Sequence, residues 1–235
     1  MSQEPVIQID HLSYAYPDGT KALQNITLRI MEKERVGILG ANGAGKSTLL
    51  LHLNGILQGT GEVRILGLPV TRKNLEAIRR AVGVVFQNPD DQLFCPTVFE
   101  DVAFGPRNMD LPEDEVEKRV RESLDAVGMA GRQTSNAHHL SLGEKKRVSL
   151  ATVLSMKPEI LAFDEPTANL DPKGRKEIEE LLMKMDKTLI VVSHDVERAK
   201  KLCGRILLLC KGKIAVDGPP SLLDDPDLLR RTDLA

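Results

Sequence analysis

The chain contains the glycine-rich stretch Gly40-Ala41-Asn42-Gly43-Ala44-Gly45-Lys46-Ser47. It follows the apolar residues 36–39 and leads into Thr48-Leu49-Leu50-Leu51, an order that predicts a strand, a glycine-rich loop and a helix. The three glycines allow the backbone to wrap around an anion, and the start of the following helix favours negative charge. Lys46 suits phosphate oxygens, and the hydroxyl of Ser47 suits Mg²⁺. The stretch therefore predicts a nucleotide-binding site.

The overall composition excludes several classes of protein. The chain has 235 residues and a formal net charge of −2, with 28% charged residues of mixed sign, so we expect no nucleic-acid partner. Its apolar runs are each about five residues long, which suits buried parallel strands and is too short for a bilayer span. The first residues show no targeting segment, and three scattered cysteines give neither a disulfide framework nor a zinc site. We therefore expect a soluble protein in a reducing cytoplasm.

The hydrophobic pattern predicts an α/β core with an inserted helical block. Residues 6–9 and 26–30 alternate as half-buried strands do, with a turn expected at 17–19, and residues 62–66 are expected to form a further strand. Helical periodicity prevails from about 90 to 157, and strands return from 159 to 216 around a polar helix at about 172–186. We expect one domain over 1–235, with a core at about 1–87 and 158–216, a helical subdomain at about 88–157 and a tail at 217–235. The tail is either loosely ordered or closed by a short helix.

Two further motifs carry chemistry. Asp164 and Glu165 follow the apolar run 160–163, which places two carboxylates at the open end of a parallel sheet. Asp164 suits the Mg²⁺ shell, and Glu165 could polarise a water for attack on a γ-phosphate. Ser141 and Gly143 stand where a helix is expected to begin and could form a second anion site, although an ordinary serine N-cap would also explain Ser141. Because one nucleotide does not need two such sites on one chain, a second copy would use this one.

These motifs, together with Gln87, Asn169-Leu170-Asp171 and His194, resemble the nucleotide-binding subunit of ATP-binding-cassette (ABC) proteins. The resemblance runs from about residue 6 to 216. It implies a P-loop NTPase (RecA-like) core with an N-terminal antiparallel β subdomain and an inserted α-helical subdomain. It also implies that two subunits, either identical or a pair of different ATPases, sandwich two ATP molecules.

The resemblance also implies the roles of single residues. The catalytic group is Glu165, His194 and Gln87. Mg²⁺ is held by Ser47, Gln87 and Asp164. ATP is bound by Gly40, Ala41, Asn42, Gly43, Ala44, Gly45, Lys46, Ser47 and Thr48, by the aromatic ring of Tyr16, and by Ser141 and Gly143 of the opposite copy. Tyr14 is the competing candidate for stacking on adenine, because alternation along a strand points both tyrosines the same way.

One residue departs from the family pattern. The signature Leu140-Ser141-Leu142-Gly143-Glu144 carries Leu142 where the family usually has glycine. A leucine there adds bulk at the expected seam between two subunits and could forbid a positive φ. We therefore expect slower hydrolysis or weaker dimerisation than Leu142→Gly would give. Glu144, in place of the commoner glutamine, is expected to matter less.

The segment from Phe86 to Pro106 closely resembles the ATPases of energy-coupling-factor transporters. The resemblance implies that an integral membrane scaffold subunit docks near Asn88–Phe94, with a substrate-binding membrane subunit beside it, at the cytoplasmic face of the membrane. Asp90 and Asp91 next to Leu93 and Phe94 would suit a basic amphipathic helix. The Asn88-Pro89-Asp90 stretch is also a typical turn, and both interpretations can hold.

The sequences of residues 143–147 and 151–154 most resemble those of the cobalt- and nickel-type ATPases of that family. The short stretch after the last predicted strand is also expected for that type. The resemblance makes cobalt the first candidate substrate, nickel the second and a vitamin the third. The alternative from another class is a soluble ABC ATPase in a non-transport assembly.

Overall fold

In the computed structural model, which describes residues 4–234, two β-sheets are packed with helices around them. The strands are β1 (Ile7–Ala15), β2 (Lys21–Ile30), β3 (Arg35–Leu39), β4 (Thr60–Ile65), β5 (Leu68–Pro69), β6 (Val82–Val85), β7 (Ile160–Asp164), β8 (Thr188–Ser193), β9 (Arg205–Cys210) and β10 (Lys213–Gly218). The α-helices are α1 (Lys46–Leu53), α2 (Leu75–Ala81), α3 (Val98–Asn108), α4 (Glu113–Ala126), α5 (Leu142–Leu154), α6 (Pro172–Lys184), α7 (Val196–Leu202) and α8 (Pro226–Arg231).

The larger sheet places the predicted chemical motifs side by side. Its strand order is β10-β9-β3-β8-β7-β6, in which β3, β6, β7, β8 and β9 run parallel and β10 runs antiparallel to β9. β8 lies between β3 and β7, so the carboxyl ends of these three strands meet at one edge. Ligands of parallel α/β sheets bind at this edge.

Both faces of the parallel sheet are buried. On β7, Ile160 and Ala162 belong to the core cluster that includes the antiparallel sheet and α1, whereas Leu161 and Phe163 belong to the cluster that includes the helices α3 to α6. A strand covered on both faces needs apolar residues at every position, which accounts for the unbroken apolar run that the sequence shows here.

The smaller sheet is antiparallel, with the order β2-β1-β4-β5. Ile7 on β1 pairs with Ile30 on β2 and with Ile65 on β4, and all three side chains are buried. The antiparallel strands expected near the N-terminus are present. The strand expected at 62–66 begins earlier and ends at Ile65, because Leu66 adopts a φ of 49° and starts a turn.

The helical block lies between β6 and β7. α3 begins with a capping box in which Thr97 and Glu100 satisfy each other's backbone N–H groups, and α4 buries Val116, Val120 and Leu124 on one face. The predicted fold class is confirmed, and the exact subdomain boundaries stay a prediction. At 219–226 the alternative with a short closing helix is the one observed. None of the helices within 4–234 is long and apolar enough to cross a bilayer.

Candidate nucleotide site

The glycine-rich loop adopts a backbone that only glycine accommodates easily. Gly43 and Gly45 have φ values of 77° and 102°, and Gly45 forms the N-cap of α1. A Cβ atom on Gly45 would lie 2.4 Å from the carbonyl oxygen of Ala22, and one on Gly40 would lie 2.3 Å from that of Leu209. These close approaches hold the loop directly over the start of α1, where free N–H groups and the helix dipole attract an anion.

Lys46, the first residue of α1, is 7% exposed and folds back onto the loop. Its ammonium donates to the carbonyl oxygens of Gly40, at 2.8 Å, and Ala41, at 3.0 Å. Burial lowers the pKa of Lys46, and the nearby carboxylates of Glu165 and Asp164 oppose that shift. Ser47, the next residue, is exposed. The loop thus presents one cation and one hydroxyl to the same space.

Asp164 and Glu165 stand at the end of β7 beside this loop. The Oδ1 atom of Asp164 is buried without a hydrogen-bond partner among the described residues. Burial raises the pKa of Asp164, while the Ser47 hydroxyl and the two lysines Lys46 and Lys146 act against the rise. An orphaned carboxylate oxygen next to an exposed serine is a chemically suitable place for a divalent cation.

Glu165 is held from the neighbouring strand. Its backbone has a φ of 46°, which is unusual for a residue other than glycine, and its N–H donates to the carbonyl of Val192 on β8. Nδ1 of His194, which follows β8, lies 2.7 Å from Oε1 of Glu165. Oε2 accepts a longer bond of 3.4 Å from the Ser193 hydroxyl. The carboxylate is therefore fixed at both oxygens.

These groups line one cavity of about 420 Å³ at the edge of the sheet. Of the residues predicted for the site, the cavity brings together Tyr16, Asn42, Gly43, Gly45, Lys46, Ser47, Thr48, Gln87, Asp164, Glu165 and His194. Gly40, Ala41 and Ala44 belong to the same loop and do not line this cavity. The adjacent residues Thr20, Lys21 and Ala22 line it as well and were not predicted. No sequence signal marks them, since they belong to an ordinary hairpin.

The structure distinguishes between the two tyrosines. Tyr16 lies beyond the end of β1, is 37% exposed, and its hydroxyl is 2.9 Å from Oγ1 of Thr48. Tyr14 packs edge-on against Tyr16 and against His52, and it does not line the cavity. The alternation argument was wrong at Tyr16, because the strand ends at Ala15. Tyr16 is thus the aromatic ring that a ligand in the cavity can reach.

Ser141 and Gly143 lie at a separate place. Ser141 is the N-cap of α5 in a capping box with Glu144, and its hydroxyl donates to Oε2 of Glu144 at 2.9 Å. Together with Asn169 and Asp171 they line a second cavity of about 510 Å³, which shares no residue with the first. A single copy therefore does not bring Ser141 to the phosphate loop.

Leu142 causes no backbone strain. It is the first residue of α5, its φ is not positive, and its side chain is 37% exposed beside this second cavity. The expectation that a leucine here could forbid a positive φ was wrong, since an N-capped helix needs ordinary helical dihedrals at its first position. The other expectation, that the leucine side chain adds bulk at the seam between two subunits, stays a prediction.

Between the helical block and the core lies an exposed groove of about 620 Å³. Phe94 and Phe104, which are 63% and 50% exposed, meet edge-on there with ring centroids 5.0 Å apart. Asp101 lines the groove and is 3% exposed; its Oδ1 accepts from the N–H groups of Phe94 and Cys95, and its Oδ2 is buried without a partner among residues 4–234.

The groove corrects one detail of the sequence analysis. Leu93 is 2% exposed and packs in the core, and Asp90 forms an ion pair of 2.7 Å with Lys145. Neither residue lines the groove, and nor does Asp91. The exposed apolar surface of the groove comes from Phe94 and Phe104, and its buried carboxylate is Asp101, which no sequence pattern singles out.

Comparison with known proteins agrees with this geometry. The family model described as ABC transporter matches residues 23–168. The chain is 51% identical to the energy-coupling factor transporter ATP-binding protein EcfA of Methanothermobacter thermautotrophicus, with 97% of this chain and 76% of that protein covered.

Two solved structures are similar over almost the whole chain. One is cbiO1 of Clostridium perfringens, part of the ABC transporter complex cbiONQ, with a TM-score of 0.86, 39% identity and coverage of 99% of this chain and 96% of that one. The other is the ATP-binding cassette MJ0796 as a post-hydrolysis dimer bound to ADP and Pi, with a TM-score of 0.80, 30% identity and coverage of 91% and 98%. The chain belongs to the ABC transporter family and is one of its ATP-hydrolysing subunits, with energy-coupling-factor proteins among its relatives.

Proposed function

We propose that this ATPase powers a membrane importer of the energy-coupling-factor type, with cobalt as the first candidate substrate and nickel as the second. One observation carries the proposal. The loop after β6 supplies Gln87 to the nucleotide cavity and Phe86, Gln92 and Phe94 to the exposed groove. A partner in the groove therefore contacts the same short loop that borders the phosphate site. The relatives named for energy-coupling-factor transport and the similarity to cbiO1 support the same assignment.

The nucleotide cavity supports an in-line hydrolysis mechanism. The N–H groups of the loop 40–45 and the ammonium of Lys46, released from its two carbonyl partners, bind the phosphates of ATP. Glu165 accepts a proton from the attacking water as the new oxygen–phosphorus bond forms and the bond to ADP breaks. His194 orients Glu165 through the bond to Oε1. Tyr16 stacks on adenine at the open end of the cavity.

Ser47, Gln87 and Asp164 are the residues that would hold Mg²⁺ with the phosphates. The buried, unpartnered Oδ1 of Asp164 and the exposed Ser47 fit a hard cation that prefers oxygen ligands. Mg²⁺, when bound, would neutralise charge that develops on the phosphates. No group of three or more His, Cys, Asp or Glu side chains in the described part of the chain could hold a metal without the nucleotide.

We propose that the working unit pairs two ATPases, either two copies of this chain or one copy with a different subunit. The separation of Ser141 and Gly143 from the phosphate loop within one chain supports this arrangement. When two subunits dock head to tail, the α5 start of one faces the γ-phosphate held by the other. The dimeric structure of the similar cassette MJ0796 is consistent with it.

The groove is the proposed docking site of an integral membrane scaffold subunit, close to the predicted segment Asn88–Phe94. The two exposed phenylalanine rings offer apolar contact. The unpartnered Oδ2 of Asp101 is buried, so a basic side chain would reach it only after docking has shifted the wall of the groove. An amphipathic helix that carries a basic side chain beside its apolar face matches this chemistry. The scaffold would place the ATPase at the cytoplasmic face of the membrane, next to a substrate-binding membrane subunit.

The proposal is tested by measuring cobalt and nickel uptake in cells that lack this chain. Wild type should restore uptake of one metal, and Glu165→Gln should not. Restoration of neither metal, with an integral membrane protein still co-purifying, would redirect the substrate to a vitamin. If no membrane protein co-purifies, the ATPase belongs to a soluble assembly.

A further inference from the structure

Lys146 is a buried cation that the hydrolysis mechanism described above does not use. It lies in the second turn of α5, is 5% exposed, and shares the buried face of the helix with Ser149, Leu150 and Val153. Its Nζ atom lies 3.1 Å from the carbonyl oxygen of Glu165 and 3.2 Å from that of Gln87. One ammonium thus joins the backbones of two predicted site residues that are far apart in the sequence.

Packing alone does not account for a lysine at this position. Burying an ammonium is costly, and a methionine of similar length would fill the same space without that cost. Among residues 4–234, no carboxylate forms an ion pair with Lys146, so its hydrogen bonds go to the two carbonyls. The neighbouring Lys145 differs, because it reaches Asp90 at the surface.

The two carbonyls belong to a residue with an unusual backbone conformation, Glu165, and to one in an exposed loop, Gln87. Glu165 has a φ of 46°, and its carbonyl accepts from both Lys146 and the N–H of Ala168. Gln87 lies in an exposed loop beyond the end of β6. Fixing the peptide group of Glu165 fixes the direction in which its carboxylate leaves the strand, and fixing Gln87 holds the loop next to it.

The same loop continues to the groove. Oε1 of Gln92 accepts from the N–H of Phe86, and its Nε2 donates to the Ser149 carbonyl at 2.8 Å and to Oγ1 of Thr152 at 2.7 Å. Ser149 and Thr152 lie on α5 one and two turns after Lys146. α5 therefore holds the loop at two points, Gln87 and Gln92. The contact with Gln87 comes from Lys146, which also contacts Glu165.

We propose that Lys146 is a positioning residue that holds the backbones of Glu165 and Gln87 together and so connects the groove to the hydrolytic carboxylate. The inference rests on the proposed role of Glu165. It predicts that loss of the ammonium slows the hydrolytic step and leaves ATP binding intact, because Lys146 does not line the nucleotide cavity.

The test compares Lys146→Met, Lys145→Met and Glu165→Gln with wild type in the isolated full chain. Steady-state ATP hydrolysis gives kcat and KM, titration with a fluorescent ATP analogue gives affinity, and thermal unfolding gives Tm. Lys146→Met should lower kcat by roughly 10- to 100-fold, with KM and affinity within about twofold of wild type. Its Tm should move by less than about 4 °C. Lys145→Met should retain kcat within about twofold, since it loses only the ion pair with Asp90, whose side chain is about half exposed.

Four results would overturn the inference. Two concern turnover: an unchanged kcat in Lys146→Met, or an equal loss of kcat in Lys145→Met. The other two would make Lys146 structural: a Lys146→Met chain that does not fold, or one in which kcat, affinity and Tm fall together. A Glu165→Gln chain that hydrolyses ATP at the wild-type rate would instead remove the proposed role of Glu165. Inactive Glu165→Gln beside a normal Lys146→Met removes only the role of Lys146.

Discussion

Nδ1 of His194 lies 2.7 Å from Oε1 of Glu165, and the two residues follow adjacent parallel strands, β8 and β7. Glu165 is 8% exposed, whereas 64% of the His194 side chain is accessible. The carboxylate is therefore held inside the cavity by a histidine at its mouth. This arrangement resembles the general base and orienting group of many hydrolytic sites, in which the base must lie within hydrogen-bond reach of the proton that it accepts.

Glu165→Gln should keep ATP binding and lose most of the hydrolysis. Glutamine preserves the size of the side chain but cannot accept the proton of the attacking water, so turnover should fall by about 10² to 10⁴-fold. If two subunits close around ATP, the variant should also accumulate as an ATP-bound dimer. Size-exclusion chromatography with and without ATP measures this. Glu159 lies at the opposite end of β7 and outside the cavity lining, so Glu159→Gln provides the control. Wild-type turnover in Glu165→Gln would exclude Glu165 as the base.

His194→Ala should lower kcat by at least about tenfold through the loss of the orienting bond. Because the histidine acts through Glu165, its effect should not add to that of Glu165→Gln. Single-turnover hydrolysis by His194→Ala, Glu165→Gln and the double variant provides a thermodynamic cycle. Additive losses in the double variant would show that His194 acts independently, for example directly on the phosphate.

Much of the fold could be predicted from the sequence because local pattern and tertiary position agree. The apolar run at 160–163 predicts a strand buried on both faces, and β7 is such a strand. The phosphate loop has a spacing that few other structures require, so its strand, loop and helix all follow from eight residues. The prediction at Tyr16 assumed that strand alternation continued past Ala15, and the prediction at Leu142 assumed a positive φ where a helix begins. Both depended on where an element begins or ends. Element boundaries are set by tertiary contacts and caps, which the pattern does not show.

Lys146 and Asp101 show what the sequence analysis missed. Lys146 lies three, four and seven residues before Ser149, Leu150 and Val153, so helical spacing places it on the buried face of α5. The basic run 145–147 that contains it instead suggests an exposed surface. Asp101 lies within the segment Phe86–Pro106, whose resemblance to a family does not single out one acidic residue. Its position on the groove depends on packing between α3 and the loop after β6, which no local pattern encodes.

Leu142→Gly should speed hydrolysis or lengthen the lifetime of the dimer, and only because it removes the leucine side chain from the seam. Leu142 has helical dihedrals, so no backbone strain is relieved, and glycine at the start of α5 costs up to about 1 kcal/mol of helix stability. Leu142→Ala removes all of the leucine side chain except the Cβ methyl group and avoids that cost. Both variants should raise the ATPase rate by about twofold or more, which corresponds to about 0.4 kcal/mol of activation free energy. An unchanged rate and dimer lifetime in Leu142→Ala would show that the leucine does not hinder the seam.

Cys95 should be slow to alkylate near neutral pH. Burial, reinforced by the carboxylate of Asp101, raises the pKa of Cys95 to about 11. At pH 8 the thiolate is then roughly 200-fold scarcer than for a free cysteine of pKa about 8.5, while its intrinsic nucleophilicity is about tenfold higher. The net rate with iodoacetamide should be at least about tenfold below that of a cysteine peptide, and should rise up to about pH 11. Asp101→Asn removes the like charge and should lower the pKa and accelerate the reaction. Peptide mass spectrometry resolves Cys95 from Cys203 and Cys210, and a peptide-like rate at pH 8 would contradict the assignment.

Asp101→Asn and Phe94→Ala should weaken capture of the membrane scaffold. In Asp101→Asn the remaining oxygen can still accept from the N–H groups of Phe94 and Cys95, so the local fold is kept. The unpartnered Oδ2 becomes a donor, which repels a basic side chain instead of accepting from it. Removal of one partner from such a buried contact should reduce affinity by at least about tenfold.

Co-purification of an integral membrane protein with the tagged chain, from detergent-solubilised membranes, measures the effect. Leu68→Ala is the matched control, because Leu68 is also an exposed apolar side chain, at 42%, but lies on β5 outside the groove. Each variant should keep a melting temperature close to that of wild type. Equal recovery of the membrane protein by Asp101→Asn, Phe94→Ala and Leu68→Ala would place the docking surface elsewhere on the subunit, whereas selective loss in the first two would tie the groove to the transporter.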